Sequence, residues 1–169
     1  MPASVIGKSL NLGYPGNISR NDPKATVVNR PVGTGPIVFG VPVKLNAGNT
    51  YDPLAGGDTF SAFAGIALRN VKQQTVYVSN ASGQYNKDEA ADVLTIGYVT
   101  VNANPTAALT AGGAVYAVFA DTGEFLYFDV AAATAPKTSV QITNAQWVQG
   151  GSPDTNGIAE IALLTPNKA

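Results

Sequence analysis

Hydrophobic and polar residues alternate along much of this chain, and the longest such stretch covers residues 93–128. The sequence LTIGYV at residues 94–99 places Leu, Ile and Tyr at every second position. Successive side chains of a strand point to opposite faces, so this pattern predicts a strand with one buried face. Pro105 ends the pattern because proline has no amide hydrogen to donate.

Two patterns predict β-hairpins. Residues 114–120 and 124–130 flank Asp121-Thr122-Gly123, whose glycine can adopt a positive φ and whose aspartate can accept bonds from backbone amides. Asn156-Gly157 separates residues 146–148 from residues 158–164. Asn-Gly between two β-type segments is the strongest short hairpin signal.

Further strands are predicted at residues 36–45, 60–71, 75–79 and 139–142. Pro42 places the first of these at a sheet edge or a bulge. Residues 81–91 are predicted as a polar loop with one helical turn. Eight or nine short strands without a long helical pattern predict an all-β protein, a single-domain β-barrel or jelly-roll-like sandwich.

The first 35 residues contain nine glycines and prolines, and their apolar residues follow no period. We therefore expect an extended N-terminal arm at residues 1–35 and a β-barrel or sandwich domain at residues 36–169. Ordering such an arm costs about 1–2 kcal/mol per residue, so it must dock onto something. The surface that receives it is either the chain's own barrel or a partner subunit.

Only 12% of the residues are charged, where about 25% is ordinary, and charged residues are scarce at the centres of protein interfaces. The charges are unevenly distributed. Residues 1–45 carry five basic side chains against one acidic one, giving +4, and the remainder carries five against ten, giving −5. A basic N-terminal part thus precedes an acidic body.

The composition excludes several classes of function. The chain has no Cys and no His, which removes thiolate nucleophiles, the usual zinc sites and the side chain that titrates nearest neutral pH. A net charge of −1 without a basic stripe argues against nucleic-acid binding. No segment approaches the roughly 20 apolar residues of a membrane helix, and no export signal is recognisable. We expect no enzymatic activity, no cofactor, no metal and a product that stays soluble where it is made.

Asp121-Thr122-Gly123 matches the catalytic triplet of aspartic proteases, in which two carboxylates share a proton. Such triplets usually continue with Ser or Ala, whereas Glu124 follows here. A hairpin turn explains the triplet fully.

Three other groups of residues have a functional and a structural interpretation. Asp154, Asn156 and Gly157 resemble a fragment of a calcium loop but lack its further ligands, so a turn is favoured. The acidic residues at positions 88, 89 and 92 could bind a cation weakly, but a solvated loop is favoured. Trp147, with aromatic residues at 116, 127 and 128, could stack on a sugar, although core packing is the commoner role.

Three segments resemble the small β-rich decoration or cement proteins of tailed bacteriophage capsids. They are GYPGNISR at residues 13–20, residues 60–69 with their AGIA, and LTAGGAVY at residues 109–116. The resemblance extends over most of the chain.

This resemblance implies a non-enzymatic structural protein on the outer surface of the virion, made in the host cytoplasm. It would be a homo-oligomer, a trimer rather than a dimer, that bridges neighbouring major capsid proteins. The basic arm would then contact an acidic part of the capsid or of a neighbouring subunit. Its contact residues are expected to be Lys8, Tyr14, Arg20, Lys24 and Arg30.

Deleting residues 1–20 is expected to weaken capsid binding and to leave the fold intact. Two other functions stay open. One is a carbohydrate-binding β-sandwich of a phage fibre or adhesin, which a surface-exposed Trp147 would favour and a buried one would disfavour. The other is a tail-tube or head-completion protein, which would assemble as a larger ring.

Overall fold

The computed structural model describes residues 12–69 and 83–167. Within these residues the chain forms twelve β-strands and one short 3-10 helix, Phe60–Ala62. The strands are β1 (Thr26–Pro31), β2 (Ile37–Val38), β3 (Pro42–Leu45), β4 (Tyr51–Pro53), β5 (Phe63–Ala67), β6 (Gln84–Tyr85), β7 (Ala90–Asn102), β8 (Tyr116–Phe119), β9 (Phe125–Asp129), β10 (Thr138–Gln141), β11 (Ala145–Trp147) and β12 (Ile158–Leu163). The described part has no helix that is long and apolar enough to cross a membrane.

Two antiparallel sheets pack face to face. The main sheet has the order β11-β12-β7-β5-β3-β4, with β1 also paired to β7, and the smaller sheet has the order β10-β8-β9. A continuous apolar core lies between them and contains Trp147, Phe119 and Phe128, all fully buried. The predicted all-β single domain is confirmed, in a sandwich-like arrangement.

The 13-residue strand β7 organises the main sheet. β12 pairs with residues 97–102, β1 pairs with residues 90–96, and β5 pairs at Val93 and Leu94. This strand begins the stretch in which the sequence pattern is strongest. Its pairing to three other strands explains why so long a β-type segment is needed.

A β-bulge in β7 changes which face each residue occupies. Thr26 pairs with Ile96 and the next residue of β1 pairs with Leu94, so Thr95 is left over on β7. Because side chains alternate along a strand, one extra residue exchanges the two faces. Val93, before the bulge, packs into a second core, whereas Val99, after it, packs into the main core. The prediction of a single buried face was therefore wrong.

The second core lies on the outer face of the main sheet, under the small β2–β6 pair. It contains Ile37, Tyr51 and Tyr85, and Phe39 packs edge-on against Tyr85. The Tyr85 hydroxyl donates to the carbonyl of Leu68 at 2.8 Å. Burial raises the pKa of Tyr85 to about 12, because the interior disfavours the charged phenolate.

Both predicted hairpins are present. Residues 120–124 connect β8 to β9, with Gly123 at φ 87° and its amide donating to the carbonyl of Ala120. Asn156-Gly157 leads into β12, which pairs with β11 as Trp147 opposite Ile161. The connection between β11 and β12 is longer than a two-residue turn, because it also includes residues 148–155.

Several strand predictions need correction. Pro42 begins β3, an internal strand between β4 and β5, and the bulge falls between Val43 and Lys44. Proline is tolerated as the first residue of a strand. Residues 81–91 overlap β6 and the start of β7, and no helical turn forms in their described part. The predicted strand at residues 75–79 lies outside the described residues, and the described residues already contain more than the eight or nine strands expected.

Candidate functional site

Residues 12–25, which we call the docked segment, lie against the chain's own main sheet. The amide of Gly16 donates to the carbonyl of Thr100 at 2.7 Å, and the amide of Thr100 donates to the carbonyl of Asn17 at 2.9 Å. Ser19 continues the pairing with a bond to the carbonyl of Tyr98. The N-terminal part was expected to dock either on the chain's own barrel or on a partner subunit, and the docked segment lies on the chain's own sheet. The strand β1, which follows the docked segment, is a full member of that sheet.

Gly16 fixes the position of this segment. Its φ of 85° lies in the region that favours glycine, and an added Cβ would come within 2.9 Å of the Ala67 carbonyl and of the Arg69 and Gly40 amides. The carbonyl of Gly16 also accepts a 2.7 Å bond from the Arg69 amide. The segment is thereby joined to the end of β5 as well as to β7.

The start of the segment is held by the turn before β12. Leu12 donates its amide to Asp154 Oδ2 at 3.0 Å, while Asp154 Oδ1 accepts from Asn156 and Ile158. Desolvation raises the pKa of Asp154, but the three backbone donors together outweigh it and lower the pKa. The carboxylate thus organises a turn, as predicted from its sequence.

Glu160 is the most unusual residue under the docked segment. It points to the outer face of β12, where it is 4% exposed, and accepts bonds from Arg20 Nε and Nη2, each at 2.8 Å. Ser19 Oγ donates to the same carboxylate at 2.6 Å. The hydrogen bond with Glu160 is the main reason why the pKa of Arg20 is raised. Arg20 therefore neutralises a charge of its own subunit.

The five predicted contact residues are not brought together in one cluster. Lys8 lies outside the described residues. Arg20 and Lys24 line a groove of about 480 Å³ beside the exposed Leu164, and Tyr14 lines a second groove of similar volume. Arg30, on β1, is half-buried with its guanidinium 6.0 Å from the centre of the Tyr51 ring.

Tyr14 belongs to an aromatic and cationic cluster that the sequence did not indicate. Tyr14 is 62% exposed, and the guanidinium of the exposed Arg69 lies 4.3 Å from the centre of its ring. The same guanidinium lies 5.8 Å from the centre of the Phe39 ring. We call Tyr14, Phe39 and Arg69 the Arg69 patch.

Sequence reasoning missed both Glu160 and Arg69. A signal existed for Glu160, because a single carboxylate in the apolar segment IAEIAL must find a partner if the segment is buried. Arg69 carries no comparable signal, since its ring partners come from positions 55 and 30 residues earlier in the chain.

The other candidate chemistry of the sequence has structural roles. Trp147 is 0% exposed in the main core and cannot present a surface for a sugar. Asp121 lies at the exposed tip of the β8–β9 turn. Glu89 and Asp92 bond to the Asn86 amide and the Asn29 side chain. No group of three or more carboxylates suited to a metal ion occurs among the residues that the structure describes.

Comparison with known proteins places this all-β chain in a family. Residues 1–164 match the family described as "Structural cement protein (E217 gp24/Pam3 gp6)". The chain belongs to this phage cement family. The family is a structural one, and the earlier resemblance to capsid cement proteins is confirmed.

The fold of this cement protein also occurs in a solved capsid. A chain of the structure described as "The capsid of Myoviridae Phage XM1" superimposes with a TM-score of 0.68 over 94% of each chain, at 20% sequence identity. A search of curated proteins found no match. The family match identifies a structural cement protein of phages, and the superposition shows the shared fold.

Proposed function

We propose that this cement protein decorates the outer surface of an expanded phage capsid and joins neighbouring major capsid proteins without any enzymatic role. The observation that carries the proposal is the match to a structural cement family over residues 1–164. The low charge content of the chain supports it, because charged groups are scarce at interface centres.

The protein acts as a homo-oligomer, a trimer rather than a dimer, at a local symmetry axis of the shell. Each subunit of such an oligomer meets an equivalent capsid surface. After the first subunit has bound, the remaining contacts form within one complex, so individually weak contacts add up to firm attachment. Tying several capsid proteins together in this way resists the outward pressure of packaged DNA.

The contact surface includes the exposed side of the N-terminal part. Tyr14 and Lys24 are both exposed there, and Lys8 precedes the docked segment. Arg20 contributes less free charge than its exposure suggests, because it forms an ion pair with Glu160. Arg30 is half-buried on β1 and presents less surface to a partner. Binding should still weaken with salt, since exposed lysines act through screened interactions.

Co-sedimentation with expanded, undecorated capsids of the phage of origin tests the proposal. The full-length protein is titrated onto capsids over a salt series. Saturation at a fixed copy number per capsomer is expected, and that number identifies the occupied symmetry axis. Absence of binding at every salt concentration would overturn the proposal.

The role of the N-terminal residues needs a shorter deletion than residues 1–20. Deleting residues 1–20 would remove the hydrogen bond between Gly16 and Thr100 and the ion pair between Arg20 and the buried Glu160. We therefore expect that deletion to destabilise the fold. Deleting residues 2–11 keeps all described contacts. We expect weaker capsid binding with an unchanged urea midpoint, and unchanged binding would remove these residues, Lys8 included, from the contact.

A carbohydrate-binding module is the second function considered. It depended on an exposed aromatic platform, and the buried position of Trp147 speaks against it. If the capsid experiment fails, a glycan screen is the next measurement.

A further inference from the structure

We propose that the Arg69 patch is a docking site for an acidic segment of the major capsid protein. This inference rests on the function proposed above and names the chemistry of one of its contacts. The patch combines Tyr14, Phe39 and Arg69, and arginine and tyrosine are among the residue types that most often dominate binding energy at protein interfaces.

Arg69 forms no ion pair with any residue that the structure describes. All eleven Asp and Glu residues of the chain lie within residues 12–69 and 83–167. The ion pairs formed there are Arg20 with Glu160 and Lys44 with Asp58, and neither includes Arg69. The undescribed segments contain no acidic side chain that could take this role. Arg69 is therefore available for a carboxylate of another protein.

The patch is held in place by three parts of the chain. The Arg69 amide is bonded to Gly16 in the docked segment, and the Gly40 amide, next to Phe39, is bonded to the Ala67 carbonyl. Phe39 is fixed further by its edge-on contact with Tyr85. A guanidinium that already lies against two rings loses little side-chain freedom when it binds a partner.

The geometry points to an occupant of defined chemistry. The planar guanidinium can form two parallel bonds to one carboxylate, and the exposed Tyr14 offers an aromatic surface beside it. An Asp or Glu flanked by an apolar residue fits this combination. We assign that segment to the major capsid protein because the chain belongs to a cement family and the partner must supply the missing negative charge.

Binding of the full-length protein to expanded capsids tests the assignment with Arg69→Ala, Arg69→Glu and Arg69→Lys. Lys137→Ala is the matched control, because Lys137 is exposed and lies 5.1 Å from the Tyr127 ring on the smaller sheet. Loss of a central interface arginine weakens binding by about tenfold or more. We expect a loss of capsid affinity of this size for Arg69→Ala, a larger loss for Arg69→Glu and a smaller loss for Arg69→Lys. The control Lys137→Ala should keep the wild-type affinity.

The outcomes separate this inference from the proposed function. If the wild type binds and Arg69→Ala binds equally well, the docking site is wrong and the cement function stands. If Arg69→Ala and Lys137→Ala lose binding equally, the effect is one of general charge and the site is wrong. If no wild-type protein binds, both proposals fail.

Two further measurements complete the test. Sedimentation velocity without capsids shows whether Arg69→Ala weakens self-association, which would assign the patch to a second copy of the chain and overturn the capsid partner. If Arg69→Ala does not fold, the variants Tyr14→Leu and Arg69→Lys test the site instead. Tyr14→Leu is suitable because Tyr14 is bonded to the sheet through its backbone carbonyl and its side chain is exposed. Their loss of binding supports the site, and wild-type binding by both overturns it.

Discussion

At the scale of single residues, Glu160 determines how the N-terminal part is held. Removing a carboxylate from water is costly unless donors surround it. Among the described residues, the side chains that donate to Glu160 are Ser19 and Arg20. The ion pair therefore links a charge on β12 to the docked segment. Without that segment the carboxylate would lose its partners, which favours the docked arrangement.

Arg20→Ala should destabilise the protein by about 1–2 kcal/mol, because it leaves Glu160 with Ser19 as its remaining side-chain donor. The destabilisation is modest because 55% of the Arg20 side chain is exposed, and solvent screens the ion pair. Urea unfolding measures the change, with Lys24→Ala as the control, for which a shift within about 0.5 kcal/mol is expected. Equal midpoints for both variants would show that the ion pair contributes nothing.

Asp154 should make stability depend on pH at the acidic end. Its pKa is lowered in the folded state, so its contribution is fully present above the pKa of the unfolded chain and is lost as pH falls through the folded value. Asp154→Asn should therefore be less stable than wild type above about pH 4, with a gap that closes toward lower pH. Urea midpoints from pH 2 to 6, with Asp121→Asn as the control, measure the gap. A gap that stays constant over this range would contradict the assignment.

At the scale of elements, the bulge at Thr95 allows one strand to serve two cores. β7 contributes Val93 to the outer core and Val99 to the core between the sheets, so the two halves of the strand need opposite faces. The Thr95 hydroxyl donates to the carbonyl of Thr26 at 3.1 Å, which holds the bulge against β1. In a strand without the extra residue, Val93 and Val99 would point to the same face, so one of them could not reach its core.

Gly16→Ala should release the docked segment, because the new Cβ would meet three backbone atoms at 2.9 Å and the φ is positive. We expect a loss of at least about 1 kcal/mol and faster hydrogen exchange at the Thr100 amide. Gly112→Ala separates the two causes, since Gly112 also has a positive φ but has open space around it. An equal loss in both variants would mean that φ strain alone, and not the close approach to β5, explains the effect.

At the scale of the whole molecule, the two cores should unfold together, because β7 belongs to both. Trp147, the single tryptophan, lies in the main core and reports on it by fluorescence, whereas far-UV circular dichroism reports on all strands. We expect the two urea transitions to coincide, as in two-state unfolding. A fluorescence transition separate from the circular dichroism transition would show that the cores are independent units.

Ion pairs within the whole molecule also reduce the positive charge that the N-terminal part can offer to a partner. Part of the basic charge of residues 1–45 is used within the subunit, by the pairs Arg20 with Glu160 and Lys44 with Asp58. Lys24 and Arg69 are exposed and form no ion pair among the described residues, so our proposal assigns the contact with the capsid to such cations. The salt dependence of capsid binding should therefore be shallower than a count of basic residues suggests.

The sequence by itself determined the all-β class, the two hairpins and the family resemblance. These follow from local causes, because alternation defines a strand and Gly123 or Asn156-Gly157 defines a turn whatever lies around it. Composition also excluded chemistry that depends on cysteine and histidine.

Only the tertiary structure decided which residues meet. The partner of Arg20 is 140 positions away, and the rings beside Arg69 come from two separate segments. The bulge that divides β7 between two cores depends on pairing with β1, which no local pattern encodes. The alternation of side chains determines which residues of one strand share a face. Strands that are distant in the chain determine which of these faces is covered and which cation forms no ion pair. The physical reason is that burial and charge pairing are properties of the assembled sheet.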